Sequence, residues 1–108
     1  MAYDEELASR VRSLLKDEPV VEKRMFGGLA FLLGGHMGVA ASGQGGLLVR
    51  VDPDDTAELL AEPGAEEADM GRGPMKGWLR VRSEVLDDQT LARWVARGTG
   101  YVRGLPPK

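Results

Sequence analysis

Two segments of this sequence combine positive charge, glycine and a large apolar side chain. They are residues 22–28 (EKRMFGG) and residues 71–78 (GRGPMKGW). Lysine and arginine donate charge-assisted hydrogen bonds to carboxylates and phosphates, and an aromatic ring can anchor such a contact. If the two segments lie on neighbouring strands, their cations converge on an anion or an acidic partner. The candidate ligand- or partner-binding residues are therefore Lys23, Arg24, Phe26, Arg72, Lys76 and Trp78.

A structural explanation of the same segments stays open beside this one. Charged residues along an edge strand prevent pairing between sheets of different molecules, and the apolar stems of lysine and arginine pack over aromatic rings. The glycines and the proline in and between these segments are typical of turns and bends. The predicted turn residues are Gly27, Gly28, Gly34, Gly35, Pro74 and Gly77.

The sequence contains no complete set of catalytic residues. His36 is the single histidine and cysteine is absent, so a transition-metal site would need carboxylates for its other ligands. A lone histidine at a hairpin is more often a turn or strand-end residue than a metal ligand or an acid–base catalyst. No serine lies in a nucleophile elbow. The glycine-rich residues 43–46 precede a predicted strand, whereas phosphate-binding loops precede a helix. We therefore predict a protein that is not an enzyme and that uses no metal and no cofactor.

Length and composition indicate one globular domain, residues 1–108. The chain is 43% hydrophobic and 29% charged, which is typical of a folded soluble protein. The N-terminus is acidic, unlike the basic start of a signal peptide, and the longest apolar run is shorter than the roughly 20 residues that span a bilayer. The lack of cysteine fits a reducing compartment. We expect a cytoplasmic protein without a membrane partner.

The charges are distributed unevenly along the chain. Residues 52–69 contain eight acids and no base, whereas residues 70–108 contain eight bases and three acids. This pattern predicts a surface with an acidic and a basic pole, provided that the fold does not interleave the two segments. The net charge of −3 and the lack of a helix-turn-helix pattern argue against direct sequence-specific binding of DNA.

Hydrophobic periodicity predicts three helices and a sheet. Helices are expected over residues 4–16, from residue 52 to about 61, and from residue 87 or 88 towards 104. The predicted strands are residues 20–33 with a bulge or bend at Gly27-Gly28, residues 36–41, residues 47–51 and residues 76–82. Gly34-Gly35 forms a hairpin turn between the first two strands. Which face of the strand at residues 76–82 is buried stays open, since Trp78 and Leu79 both favour burial.

Short connections between strands make the sheet antiparallel, and helices on one face of it give a two-layer α+β domain. Five segments of this chain also resemble one known family, the N-terminal domain of the TfoX/Sxy proteins. They are residues 2–7 (AYDEEL), 22–31 (EKRMFGGLAF), 35–37 (GHM), 74–78 (PMKGW) and 105–108 (LPPK). The resemblance covers nearly the whole chain, and RMFGG and PMKGW are its most specific parts.

The resemblance implies an α-β(3)-α-β(2)-α fold with an antiparallel sheet, including a short strand near residues 68–70. It also implies a link to bacterial transcription regulation, because the name-giving members regulate natural competence and act with a cyclic-AMP receptor protein. This chain looks like a stand-alone N-terminal domain that lacks their C-terminal domain. The resemblance supplies no catalytic residue.

Three functional hypotheses follow. The first is a non-enzymatic binding module that contacts a protein partner in transcription, either a regulator or the transcription machinery, through a patch around Arg24, Arg72 and Lys76. The alternative is a protein that binds a small anion or metabolite in a basic cleft of Lys23, Arg24, Arg72 and Lys76, with weak enzymatic activity. A homodimer built on an exposed edge or face of the sheet is the third.

Overall fold

A computed structural model describes residues 4–25, 27–43, 45–69 and 74–106, with the side chains of residues 69 and 74–76 left outside this description. These residues form three α-helices and six strands. The helices are α1 (Glu5–Leu14), α2 (Thr56–Leu59) and α3 (Asp88–Arg103). The strands are β1 (Val21–Met25), β2 (Gly28–Leu33), β3 (His36–Ala41), β4 (Leu47–Arg50), β5 (Ala65–Asp69) and β6 (Pro74–Val81). None of the described helices is long and apolar enough to cross a membrane.

The six strands form one antiparallel sheet in the order β1-β2-β3-β4-β6-β5. The predicted α+β class and the antiparallel sheet are therefore confirmed. Leu33 pairs with His36 across the Gly34-Gly35 turn, where both glycines have positive φ. Two consecutive residues of positive φ form the hairpin turn whose twist matches that of the flanking strands.

The predicted number of strands before the second helix was wrong, because the single strand expected over residues 20–33 is two strands. Met25 pairs with Gly28, and Val21 pairs with Leu32, so the chain reverses direction between β1 and β2. Gly27 has a φ of 75°. An uninterrupted apolar run gives no periodic signal at the point where one strand ends and the next begins, and a glycine pair is compatible with a bulge as well as with a turn. The described order is therefore α-β(4)-α-β(2)-α.

Aspartates begin the two long helices. The Asp4 side chain accepts a hydrogen bond from the Leu7 N–H at 3.1 Å, and the Asp87 side chain accepts one from the Thr90 N–H at 2.7 Å. Each carboxylate satisfies a backbone donor that has no partner within the helix. The predicted middle helix is shorter than expected: a 3₁₀ turn at Pro53–Asp55 leads into α2, which ends at Leu59.

The main core lies between the sheet and the helices, which all pack on the same face as predicted. Phe31, Val39, Leu79 and Trp94 are each at most 2% exposed there. The helices contribute Leu7, Ala8, Val11, Leu91, Trp94 and Val95 to this core, and the sheet contributes Leu29, Phe31, Val39, Ala41, Leu47, Val49, Leu79 and Val81. Burial of this apolar surface is the dominant favourable term in folding. We call this side of the sheet the helix face.

A smaller apolar cluster lies on the opposite side of the sheet, which we call the open face. Its buried members are Ala30, Ala40, Leu48 and Ala68, and the half-buried Met25, Leu32, Met37 and Trp78 pack against them. No described helix contributes a residue to this cluster. The structure thereby decides the orientation of β6: Leu79 and Val81 face the helices, whereas Trp78 lies on the open face.

The fold interleaves the acidic and basic segments. Glu66 of β5 pairs with Arg80 of β6 at 2.8 Å, and Glu62 pairs with Arg97 of α3 at 2.7 Å. Because β5 and β6 are neighbouring strands, the acidic middle of the chain meets the basic last third directly. The prediction of an acidic and a basic pole required that the fold keep these two segments apart, and it does not.

Candidate functional site

The two segments that combine charge, glycine and an apolar side chain do not lie on neighbouring strands. β1 carries Lys23 and Arg24, and β6 carries Lys76 and Trp78. Three strands, β2, β3 and β4, separate β1 from β6 in the sheet. Neighbouring strands are about 4.8 Å apart, so the two strand axes are about 19 Å apart. The hypothesis of a common binding site required that the two segments lie on neighbouring strands, and β1 and β6 are not neighbours.

The side chains of the predicted site residues divide between the two faces. Lys23 pairs with Ala30, which places it on the open face, whereas Arg24 pairs with Leu29 and lies on the helix face at the edge of the sheet. Both cations are exposed. Trp78 lies half-buried on the open face. Phe26 and Arg72 lie outside the described residues, as does the side chain of Lys76.

The structure assigns packing roles to several of the predicted turn residues. Gly27, Gly34 and Gly35 have positive φ in turns, whereas Gly28 and Pro74 are the first residues of β2 and β6. A Cβ at Gly28 would collide with the carbonyl oxygen of Ala41 on β3. The backbone approaches too closely there for any side chain, so this glycine serves the pairing of strands.

Gly77 has a comparable structural explanation. It lies inside β6 with a φ of 88°, and its N–H donates a hydrogen bond to the Thr56 hydroxyl at 3.1 Å. Its carbonyl accepts a hydrogen bond from the Val51 N–H at 2.8 Å. This glycine joins β6 to the end of β4 and to the start of α2. The described glycines of the two motifs, Gly27, Gly28 and Gly77, thus position the sheet. The charged and aromatic residues are left as the candidates for binding.

Arg50 is a site residue that sequence reasoning missed. It is the last residue of β4 and pairs with Trp78 of β6. Its guanidinium carbon lies 5.6 Å from the centre of the Trp78 ring and 5.7 Å from the centre of the Tyr101 ring. These distances are within the range of cation–π attraction. The alternation of β4 marks Arg50 as facing away from the core, but its two aromatic neighbours come from β6 and α3.

His36 is used as a tether between the sheet and the end of the chain. Its Nε2 lies 2.7 Å from the carbonyl oxygen of Pro106, and we assign Nε2–H as the donor because a carbonyl only accepts. Nδ1 is buried and has no described hydrogen-bond partner. The described residues contain no group of three or more histidines and carboxylates that could hold a metal ion.

Two described cavities lie in the helical layer. One, of about 170 Å³, is lined by α1, β1 and the connection between them, with Arg12, Lys16 and Glu22 among its residues. The other, of about 310 Å³, is lined by Val51, Asp52, Asp55, Leu59, Arg97 and Tyr101. Neither is lined by Lys23 or Arg24. The described cations of the predicted basic cleft therefore lie outside both cavities.

An ion pair ties the edge strand to α1. The guanidinium of Arg12 donates two hydrogen bonds to the carboxylate of Glu22, at 2.6 and 2.8 Å. These hydrogen bonds, together with the charge of Arg12, lower the pKa of Glu22 below its ordinary value. The pair holds β1 against the helical layer, and none of the described helices packs on the opposite side of the strand.

We expect this pair to contribute to the pH dependence of stability. Because the pKa of Glu22 is lowered in the folded state, its contribution is present above the pKa of the unfolded carboxyl and is lost as the pH falls through the folded value. Both side chains are more than a third exposed, so the contribution is at most about 1 kcal/mol. Urea denaturation of Glu22→Gln and wild type, from neutral pH to about pH 3, measures it.

The stability difference between wild type and Glu22→Gln should therefore shrink as the solution is acidified. Glu58→Gln is the control, because Glu58 is exposed and belongs to none of the described ion pairs. A difference for Glu22→Gln that is independent of pH, or one of equal size for Glu58→Gln, would contradict the assignment.

Comparison with protein-family models matches residues 12–100 to the TfoX N-terminal domain. The matched range runs from α1 to α3 and contains all six strands. It also contains the two most specific segments of the resemblance, RMFGG and PMKGW, whereas residues 2–7 and 105–108 lie outside it. Searches of curated proteins and of solved structures gave no match. With 89 of its 108 residues within the match, the chain belongs to the TfoX N-terminal domain family.

Proposed function

We propose that this chain is a non-enzymatic module that binds a protein partner in bacterial transcription regulation, in the cytoplasm, and that the open face is the contact surface. The observation that carries the proposal is an apolar cluster with half-buried outer members, Met25, Leu32, Met37 and Trp78, on a side of the sheet to which no described helix contributes. Apolar surface rimmed by polar residues is typical of sites of protein interaction. Membership of the TfoX N-terminal domain family supports the regulatory context.

The arrangement of the described residues favours a surface contact over a small-molecule site. Small-molecule sites are usually concave and collect a few convergent polar groups. Lys23 and Arg24 point to opposite faces of the edge strand and line neither described cavity. Lys23 and Trp78 share the open face, where a protein surface can contact both at once.

The experiment is an affinity purification from the native host with three baits: wild type, Met37→Glu and Leu14→Glu. Met37 is half-buried on the open face, and a carboxylate there interrupts the apolar surface. Leu14 is 45% exposed on α1, so Leu14→Glu makes the same kind of change on the helical layer. Thermal unfolding of all three proteins establishes that each is folded.

We expect wild type and Leu14→Glu to recover the same transcription regulator or polymerase subunit, and Met37→Glu to lose most of it. If all three baits recover the same proteins, the open face is not the contact surface. If none recovers a component of transcription, the regulatory role is wrong.

A further inference from the structure

Arg50 differs from the other arginines that contact a described partner. Five arginines form ion pairs with carboxylates: Arg10, Arg12, Arg80, Arg97 and Arg103. Arg50 contacts the rings of Trp78 and Tyr101 instead, and none of the described carboxylates pairs with it. An aromatic ring attracts the positive charge but leaves the N–H donors of the guanidinium without conventional acceptors. A half-buried arginine is thus held in place with its donors unused by the described residues.

Arg97 of the same protein contacts both an aromatic ring and a carboxylate. Its guanidinium carbon lies 4.6 Å from the centre of the Trp94 ring, and its nitrogens also bind the carboxylate of Glu62. Arg97 therefore has both an aromatic neighbour and an acid. Arg50 has the aromatic neighbours alone, so the group that would complete its surroundings is a carboxylate.

The other residues of the open face indicate what kind of group could lie beside a carboxylate bound to Arg50. Met25, Leu32, Met37 and Trp78 present half-buried apolar surface. Of the described charges on this face, Arg80 is paired with Glu66, so Lys23 and Arg50 carry the uncompensated charge. The described charges of this face therefore sum to a positive value, although the whole chain has a net charge of −3. Charge complementarity therefore favours an acidic occupant.

We propose that the open face binds a segment of a partner protein that carries an aspartate or glutamate between apolar residues, with its carboxylate on the guanidinium of Arg50. This inference rests on the proposed function and names the chemistry of the partner. The apolar residues of the segment lie on the cluster around Met37 and Trp78. A second copy of this chain is disfavoured as the occupant, because its open face carries the same uncompensated described cations, Lys23 and Arg50, and like charges across an interface repel each other.

The two rings make Arg50 a better anchor than a free surface arginine. Contacts with Trp78 and Tyr101 restrict the side chain before binding, so less conformational entropy is lost when the partner arrives. The guanidinium presents its donors in a planar fork that matches the two oxygens of a carboxylate. Lys23, exposed on β1, adds a longer-range attraction that salt screens.

A library of random peptides displayed on phage tests the inference, with wild type, Arg50→Gln and Arg93→Gln as targets. Arg93 is exposed on α3 in the helical layer and belongs to none of the described ion pairs, so Arg93→Gln removes one positive charge away from the open face. Enriched peptides are then synthesised in two forms, one with their acidic residues and one with each acid replaced by its amide. Affinities are measured for both forms.

The two tryptophans of the chain report where a peptide binds. Trp78 is half-buried on the open face, and Trp94 is 1% exposed in the main core. We expect peptides with acids between apolar residues to be enriched, and to shift the NMR signal of the Trp78 indole N–H while leaving that of Trp94 in place. Arg50→Gln should weaken binding about 10-fold or more, the amide form of the peptide should weaken it equally, and Arg93→Gln should leave it unchanged.

Several results would overturn the inference: no enrichment above background, enrichment of basic or neutral peptides, equal binding of the acid and amide forms, or equal effects of Arg50→Gln and Arg93→Gln. Self-association of wild type that covers Trp78 would identify a second copy as the occupant. If Arg50→Gln does not fold, the acid and amide peptides on wild type still decide the question.

The outcome is separable from that of the proposed function. Suppose that a transcription component is recovered and that Arg50→Gln does not affect its binding. The proposed regulatory role would then stand, and the proposal of an acidic partner segment would be wrong. If acidic peptides bind selectively but the affinity purification recovers no transcription component, the acidic segment would stand and the regulatory role would be wrong.

Discussion

Leu79→Ala is expected to lower the free energy of unfolding by about 2–5 kcal/mol, because truncation of a buried leucine loses its transfer free energy and leaves a cavity. Leu79 is fully buried on the helix face of β6, a strand that has neighbours on both sides. The side chain fills the centre of the main core, where packed neighbours can collapse only partly into the space. Urea denaturation of the purified protein measures the change.

Leu32→Ala is the matched control for the open face. Leu32 is a strand leucine as well, but it is half-buried on the open face. A residue of this kind loses only part of the about 1.5–3 kcal/mol that burial of a leucine contributes, so we expect a loss of about 1 kcal/mol. Equal losses for the two variants would mean that both faces are packed as cores, and the open face would then not be spare surface for a partner.

Gly98→Ala is expected to destabilise the protein by about 1–3 kcal/mol, the usual cost of overpacking a tight contact. Gly98 lies on α3 directly against Gly38 of β3. A Cβ added to Gly98 would lie 2.5 Å from the Gly38 carbonyl oxygen and 2.9 Å from Cγ1 of Val39. Since the nearest atom belongs to the backbone, relief requires that the helix moves away from the sheet. The clash outweighs the gain of about 1 kcal/mol that alanine brings to a helix interior.

Gly100→Ala tests this reasoning on the same helix, because here we expect the substitution to raise the stability rather than lower it. Gly100 is exposed, and nothing lies within 4 Å of a Cβ added to it. We therefore expect alanine to stabilise the protein by about 0.5–1 kcal/mol through helix propensity alone. Thermal and urea unfolding of both variants decide the matter. Destabilisation by both substitutions would show that flexibility of α3, rather than close packing, accounts for the two glycines.

The contact between Gly98 and Gly38 also depends on a feature of the sheet. Phe31 pairs with Val39 and Leu32 pairs with Met37, so Gly38 is an extra residue that forms a bulge in β3. A bulge bends its strand and turns successive side chains away from strict alternation. It places a residue without a side chain under α3 and directs Met37 to the open face. The same irregularity thus helps to form the helix contact and the candidate binding surface.

Much of the fold could be predicted from local patterns in the sequence. The first helix, the start of the last helix near Asp87 and the Gly34-Gly35 hairpin each depend on residues a few positions apart, and the structure has all three. Periodicity and turn chemistry act over such short distances, so they can be read without knowledge of the rest of the chain. The motifs at residues 24–28 and 74–78 identified the family for the same reason.

The candidate site could not be predicted in the same way, because its residues meet only through the order of the strands. Insertion of β6 between β4 and β5 separates Lys23 from Lys76 and brings Trp78 beside Arg50. It also pairs Glu66 with Arg80, which removes the expected charge poles. Tyr101 reaches Arg50 because α3 crosses the sheet closely at Gly38. Alternation along one strand says which residues share a face, but not which strand lies beside it.

The sequence by itself therefore determined most of the elements, the positions where the two long helices begin, the hairpin at Gly34-Gly35 and the family. Only the tertiary structure decided that Leu79 rather than Trp78 is in the main core, and that Arg50 lies between the neighbours that make it a candidate anchor. The physical reason is that local free energies act between residues close in the chain. The pairing of β4 with β6 is a long-range contact, and the burial of one whole face of the sheet selects it.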